Sequence, residues 1–359
     1  MRILFLTRKW APAMGGMEIY SQEMSAEFRR LGHEVDLRAL PGRADGGAPG
    51  AAAILGFGLG QARRLALGAG RWDLVFTGDL AIWPLAALAL RAARRGGARP
   101  ALLLSAHGTD AAFAARPTAP GRAYGAYMRR GARALAAAAP GPFAVAANSG
   151  ATAVLTRALG FDHVGIIPLG VRARAPDPAP PERREILFAG RLVRRKGLSW
   201  FVQEVLPHLP ADLPLAVAGT AWDKAEAAAL AHPRVVFLGA LPQEELWARM
   251  AAATVVAVPN LAAGQGHVEG FGLVAAEAAA AGGIVLAPRL EGFASSVIEG
   301  ETGTLLPPGD GPAWAAEITR IAALPPASRA ALRARARDAA AARFDWSRCA
   351  RETLALVGA

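Results

Sequence analysis

The segment His267-Val268-Glu269-Gly270-Phe271-Gly272-Leu273-Val274-Ala275-Ala276-Glu277 carries two carboxylates eight positions apart. The first lies in a glycine-bearing loop, and the second falls about two turns into an expected helix. Eight helical residues rise about 12 Å, roughly the reach from a sugar to a ribose across a diphosphate. The N–H groups of Phe271, Gly272 and Leu273 would then stand at the helix start, facing phosphate. Glu277 is surrounded by Val274, Ala275, Ala276 and Ala278 to Ala281. A carboxylate there is expensive to bury without a donor such as a ligand hydroxyl. Taken alone, it reads equally well as a surface acid on an alanine-rich helix.

Positive charge of matching chemistry appears in Gly190-Arg191-Leu192-Val193-Arg194-Arg195-Lys196-Gly197, directly after an apolar run. Arginine can fork two phosphate oxygens and lysine adds a compact point charge, so Arg191 and Lys196 suit a diphosphate clamp. Arg194 and Arg195 read as a solvated basic face. Near the N-terminus, Met14-Gly15-Gly16-Met17-Glu18 opens a helix whose apolar stripe is Met17, Tyr20, Met24, Phe28 and Leu31. Two glycines there let a ligand approach bare N–H groups, although a tight turn needs them too. This is not the GxGxxG dinucleotide fingerprint. His107-Gly108-Thr109-Asp110 follows another apolar run. Its histidine either faces a ligand or ties down the loop, and no second His or Cys stands nearby at zinc-ligand spacing.

The elements that must hold these residues are short apolar runs separated by alanine-rich helical stretches. They are 3–7, 34–39, 73–77, 101–105, 143–147 and 164–168, then 185–189, 215–218, 235–238, 254–258 and 284–287. Continuous apolar runs with helices between them are the pattern of buried parallel strands. Between the two sets, Arg172 to Arg184 holds four prolines in six positions, 176 to 181, which neither helix nor sheet tolerates. The expected organisation is an α/β chain of two doubly wound Rossmann-like domains, 1–171 and 185–343, joined by a linker at 172–184. Trp346 reads as a packing anchor in the closing stretch, 344–359.

At 359 residues, 53% apolar and 19% charged, the chain can build two cores and is not a disordered protein. One cysteine, Cys349, excludes a disulfide framework within the chain and a Cys-based zinc site. No run reaches membrane-spanning length, and Ile3 to Thr7 is too short for a signal peptide, so a cytoplasmic location is expected. The +11 net charge is lopsided: residues 1–175 hold 22 basic and 10 acidic side chains, and the remainder 18 and 19. Few aromatics and no nucleic-acid-binding module argue against nucleic acid as the partner.

In this order and at these separations, the motifs resemble the GT-B glycosyltransferases of the retaining family 4. Carrying the resemblance are Gly15-Gly16-Met17-Glu18, His107-Gly108-Thr109-Asp110, Asn148-Ser149, Ile167-Pro168-Leu169-Gly170-Val171, Gly190-Arg191 through Lys196-Gly197, Gly239, the Glu269…Glu277 pair and Thr302-Gly303-Thr304-Leu305-Leu306. It implies a metal-independent retaining hexosyltransferase, its two domains facing a central crevice. The donor would be a nucleotide diphosphate sugar, UDP- or GDP-linked, and no cofactor is needed. The acceptor would be a hydroxyl of a glycan, glycolipid or lipid-linked molecule.

The resemblance also implies residue roles. Arg191 and Lys196 neutralise the diphosphate, Glu277 takes the ribose hydroxyls, and Glu269 and His107 act at the donor sugar. Gly15, Gly16, Gly219, Phe271, Gly272 and Leu273 border the donor, while Met17, Glu18 and Asp110 border the acceptor. Residues 344–359 would cross back to the first domain. Serines occupy 295 and 296, in a loop where many relatives carry an acid, which leaves the role of Gly292 to Val297 open. The alternatives are an inactive sugar-nucleotide-binding module of the same fold and a nucleotide-sugar epimerase. The arginine-rich first half, notably Arg91, Arg94, Arg95 and Arg99 with Arg122, Arg129, Arg130 and Arg133, would suit an anionic membrane surface, making the protein peripheral on the inner face of the cell membrane.

Overall fold

The computed structural model describes all residues except 14, 46, 69 and 263–268. Met14, His267 and Val268 of the motifs above therefore lie outside the described residues. The chain divides into two compact units. One comprises residues 1–170 and 346–359 with the described residues of 265–271, and the other the rest.

The first unit runs β1 (Arg2–Trp10), α1 (Gly16–Arg30), β2 (Glu34–Pro41), α2 (Ala51–Leu67), β3 (Leu74–Thr77), α3 (Trp83–Arg95), β4 (Ala101–Ala106), α4 (Thr109–Ala114), α5 (Ala119–Ala138), β5 (Phe143–Ala147), α6 (Gly150–Ala158) and β6 (Val164–Ile166). Its six strands are all parallel, in the order β2-β1-β3-β4-β5-β6. Ile3, Leu4, Phe5 and Leu6 are fully buried because helices cover both faces of β1. The rings of Phe5 and Phe76 meet edge-on at 4.6 Å. Tyr20, Met24 and Phe28 of α1 are buried as their spacing predicts, whereas Met17 and Leu31 at the helix ends are only half-buried.

The second unit runs β7 (Arg183–Ala189), α7 (Leu198–Trp200), β8 (Leu215–Ala218), α8 (Lys224–Ala228), β9 (Val235–Gly239), α9 (Gln243–Ala252), β10 (Ala253–Ala257), α10 (Leu273–Ala280), β11 (Val285–Pro288), β12 (Thr304–Leu306), α11 (Gly311–Ala322) and α12 (Pro326–Arg343). Its strands are parallel in the order β12-β11-β10-β7-β8-β9. α7 passes into a π turn at Phe201–Val205 and a 3₁₀ turn at Leu206–His208. Pro207 explains the change, since it lacks an N–H and crowds the carbonyl four residues back. A last helix, α13 (Trp346–Ala355), packs on α1 in the first unit. Gly170 makes room for it: a Cβ there would come 2.4 Å from the Trp346 ring.

All eleven apolar runs are strands, giving the α/β architecture expected. β12 is a twelfth, and its three residues are too few for a periodicity signal. The linker is shorter than its proline content suggested. Arg183 and Arg184 already belong to β7, where Arg183 pairs in register with Ala253.

Candidate functional site

Ligands of open parallel sheets bind beyond the carboxyl ends of the strands, where the strand order reverses. In the second sheet the reversal lies between β7 and β10, so the loop that leaves β7 is the one carrying Arg191 and Lys196. Gly190 (φ 148°) and Gly219 (φ 151°) adopt backbone that side chains disfavour. A Cβ on Gly219 would stand 1.8 Å from the Gly190 carbonyl oxygen, so the loops after β7 and β8 touch backbone to backbone. Gly219 thus has a structural reason to be glycine whether or not a ligand approaches.

Arg191 is exposed, its guanidinium 5.3 Å from the ring centroid of Trp222. The Trp222 indole N–H donates to Thr220 Oγ1 at 2.9 Å, which fixes the ring although it is 68% exposed. Motif reading missed Trp222, whose one signal was a bulky aromatic three residues after Gly219. Lys196 ends a 3₁₀ turn (Arg194–Lys196) and is half-buried. The turn is pinned to the exit of β10, with Leu261 N–H donating to the Arg195 carbonyl at 3.1 Å and Gly197 pressed against Pro259.

α10 begins only at Leu273, because Gly272 is left-handed (φ 75°) and breaks any helix before it. Glu277 is consequently the fifth residue of the helix, little more than one turn in, and the 12 Å helical rise from Glu269 does not apply. A Cβ on Gly272 would strike Phe293 and Ser296, so the serine-bearing loop supports the N-terminus of α10. Glu277 is half-buried among alanines, and burial pushes its carboxyl up to about 7. It has no hydrogen-bond or ion-pair partner among the described residues, whose other buried carboxylates are paired, as Glu185 is with Arg249 at 2.7 Å.

In the first sheet the reversal lies between β1 and β3. Arg8, on β1, donates from Nε to both Asp79 oxygens at 3.2 Å and from Nη2 to Asp110 at 3.4 Å. Asp110 also accepts from the Tyr124 hydroxyl at 2.8 Å. Burial raises the Asp79 carboxyl, against the pull of Arg8. Lys9 pairs with Glu18 at 3.6 Å, and the Glu18 carboxylate lies over Gly15 at the head of α1. Gly16 is the first residue of that helix and Met17 the second. Arg8, Asp79 and Tyr124 escaped motif reading. Charged residues at strand ends are weak signals until their partners are known.

His107 follows β4 and is half-buried, with Nε2 3.1 Å from the Gly78 carbonyl oxygen. A carbonyl can only accept, so Nε2 carries the proton. Burial lowers the imidazole pKa to about 4, leaving the ring neutral at physiological pH. Its edge packs against Tyr20 at 4.5 Å. Gly270 lies against the His107 carbonyl, where a Cβ would come within 2.5 Å. Glu269 is half-buried and Phe271 buried in this same unit, while Glu277 belongs to the other. Among the described residues no three metal-ligating side chains cluster, and no helix is long and apolar enough to cross a membrane.

The geometry can be set beside known proteins. Residues 14–174 match the family model for Glycosyltransferase Family 4, and residues 183–323 that for Glycosyl transferases group 1. HepE of Anabaena, solved with UDP and glucose, superposes with a TM-score of 0.71 at 19% identity over 99% of this chain and 98% of that one. Sucrose-phosphate synthase of Thermosynechococcus elongatus does so at 0.71 and 21% identity, with the same coverage. In sequence the chain is similar to the D-inositol 3-phosphate glycosyltransferase of Xylanimonas cellulosilytica, 38% identical over 180 residues, and to the glycogen synthase of Mycobacterium tuberculosis, 34% over 193. These matches cover 48% and 50% of this chain, which spans only 41% and 43% of those relatives. With two parallel six-stranded sheets in the GT-B manner and a family model on each, the chain belongs to the group 1 glycosyltransferases of family 4.

Proposed function

We propose that the protein is a retaining glycosyltransferase that moves a hexosyl unit from a nucleotide diphosphate sugar to an acceptor hydroxyl without a metal ion. The carrying observation is Glu277, a half-buried carboxylate with no donor among the described residues. Ribose hydroxyls supply the missing donors. Arg191 and Lys196 take the diphosphate, whose negative charge grows as it departs. The bond from the anomeric carbon to the leaving phosphate oxygen breaks as the acceptor oxygen bonds on the same face. The acceptor proton passes to that phosphate oxygen. His107 and Glu269 contact the donor sugar, with the neutral ring of His107 binding rather than titrating. The amides of Phe271, Gly272 and Leu273 and the backbone of Gly15, Gly16 and Gly219 border the donor.

HepE has been solved with UDP, and a Mycolicibacterium smegmatis relative, 37% identical over 135 residues, is described as GDP-mannose-dependent. These support a uridine or guanosine donor. On the acceptor side, Asp110, Glu18 and Met17 stand at the carboxyl edge of the first sheet. The acceptor is a glycan or lipid-linked molecule, met where exposed arginines of α3 and α5 face an anionic membrane. Sedimentation with anionic vesicles at low salt tests that contact. For the donor, thermal shift with UDP-, GDP- and ADP-sugars should show one series raising Tm in proportion to ln[ligand] above its Kd. Lys196→Ala and Glu277→Ala should each remove most donor turnover without lowering Tm of the free protein. Unchanged transfer in both overturns the proposal.

A further inference from the structure

Four of the ten large apolar side chains exposed among the described residues sit on one helix, α2: Ile54, Leu55, Leu59 and Leu67. Its inward side is Phe57, Gln61 and Leu65 at four-residue spacing, packed on the first unit's core or buried beside it. The outward stripe at the same spacing reads Leu55, Leu59, Arg63 and Leu67, with the leucines 64%, 63% and 79% exposed. A water-facing stripe ordinarily carries charge, yet residues 51–60 hold none. The other residues facing water there are mostly alanine and glycine.

Cations frame this apolar patch. Arg63 and Arg64 are exposed on its C-terminal half, and Arg95 of α3 donates to the Gly68 carbonyl at the helix end at 2.9 Å. α3 packs against both α2 and α5, so the arginines of α3 and α5 continue the same layer. Leucine bordered by arginine fits a surface that is apolar below and anionic above, as at the boundary of lipid headgroups. A second copy of the chain fits poorly: like arginines would meet across a two-fold axis, and the patch is far short of the ~20–30 residues a side of a stable dimer.

We infer that α2 is an interfacial helix whose Leu55, Leu59 and Leu67 enter the headgroup boundary of an anionic bilayer. The inference rests on the anionic-surface contact proposed above and adds an apolar component to it. The test is sedimentation of the full chain with phosphatidylcholine vesicles containing about one-third phosphatidylglycerol. In about 0.15 M salt the wild type should bind. The double variant Leu55→Glu/Leu59→Glu should bind at least about tenfold more weakly with unchanged Tm, since both side chains are exposed. Arg63→Ser/Arg64→Ser should weaken binding mainly at low salt. If the leucine variant binds like wild type while arginine variants fail, the contact is electrostatic only and the interfacial helix is wrong. If the wild type does not bind, both readings fall. A wild-type dimer in sedimentation velocity that Leu55→Glu/Leu59→Glu dissociates would assign the stripe to a second copy and overturn the inference.

Discussion

The carboxyl edges of the two sheets treat their ionisable groups in opposite ways. At the edge of the first sheet, Arg8 is held by Asp79 and Asp110, Lys9 by Glu18, and the His107 N–H by Gly78. At the edge of the second, Glu277 has no partner among the described residues and Arg191 leans on an exposed indole. A satisfied network is rigid and already compensated. Groups left short of partners gain most when a ligand supplies them. The contrast also explains why a strongly basic half of the chain does not present a strongly basic edge.

The largest expected effect tests the paired edge. Arg8→Met strands Asp79 in the core and should cost about 3–5 kcal/mol of unfolding free energy. Arg8→Met/Asp79→Asn should recover much of it, and a single variant as stable as wild type would break the contrast.

The two edges should also differ in their response to pH. His107 has a folded pKa of about 4 against 6.5 for the free side chain. Its contribution is full above pH 6.5 and is lost as pH falls toward 4, because the unfolded chain protonates first. Glu277 runs the other way, from 4.5 to about 7. Its contribution is full below pH 4.5 and is lost as pH rises through 7. Each is worth up to about 3 kcal/mol, and urea titrations of wild type, His107→Gln and Glu277→Gln across pH 4 to 8 separate them. Ribose hydroxyls should favour the ionised Glu277, so nucleotide affinity should rise toward pH 7 and Glu277→Gln should flatten that rise.

Arg191→Ala should lose about 1.5–3 kcal/mol of transition-state binding, roughly 10- to 150-fold in kcat/KM, with stability unchanged. The smallest effect belongs to Trp222→Ala. An exposed cation–π contact is worth about 0.5–1 kcal/mol, a two- to fivefold weakening of donor binding measured by titration. Equal losses from both substitutions would mean that the guanidinium and the indole act as one unit on the ligand.

Much of the fold was legible because the signals are local. A buried parallel strand is an apolar run, and Ile3 to Thr7 or Glu185 to Ala189 needs no distant information to be recognised. Arg191 and Lys196 were legible for the same reason, since a strand followed by glycine and spaced cations is a short pattern. Trp222 was not, because a single exposed aromatic has no periodicity. The position of Glu277 along its helix was misjudged because Gly272 could equally have continued the turn. Gly272 turns left-handed instead, with Phe293 and Ser296 packed where a Cβ would stand.

By itself the sequence determined the order of strands and helices, the glycines and prolines that break them, and the cations available to a diphosphate. These rest on period, backbone stereochemistry and side-chain chemistry, all of which act over a few residues. Only tertiary structure decided which charges are spent on each other. Arg8 and Asp79 lie 71 positions apart, and Glu269 and Glu277 fall into different units although only seven residues separate them. The leucines of α2 would pass for core in any composition. They face outward because the helix has a neighbour on one side alone, and that is a property of packing rather than of pattern.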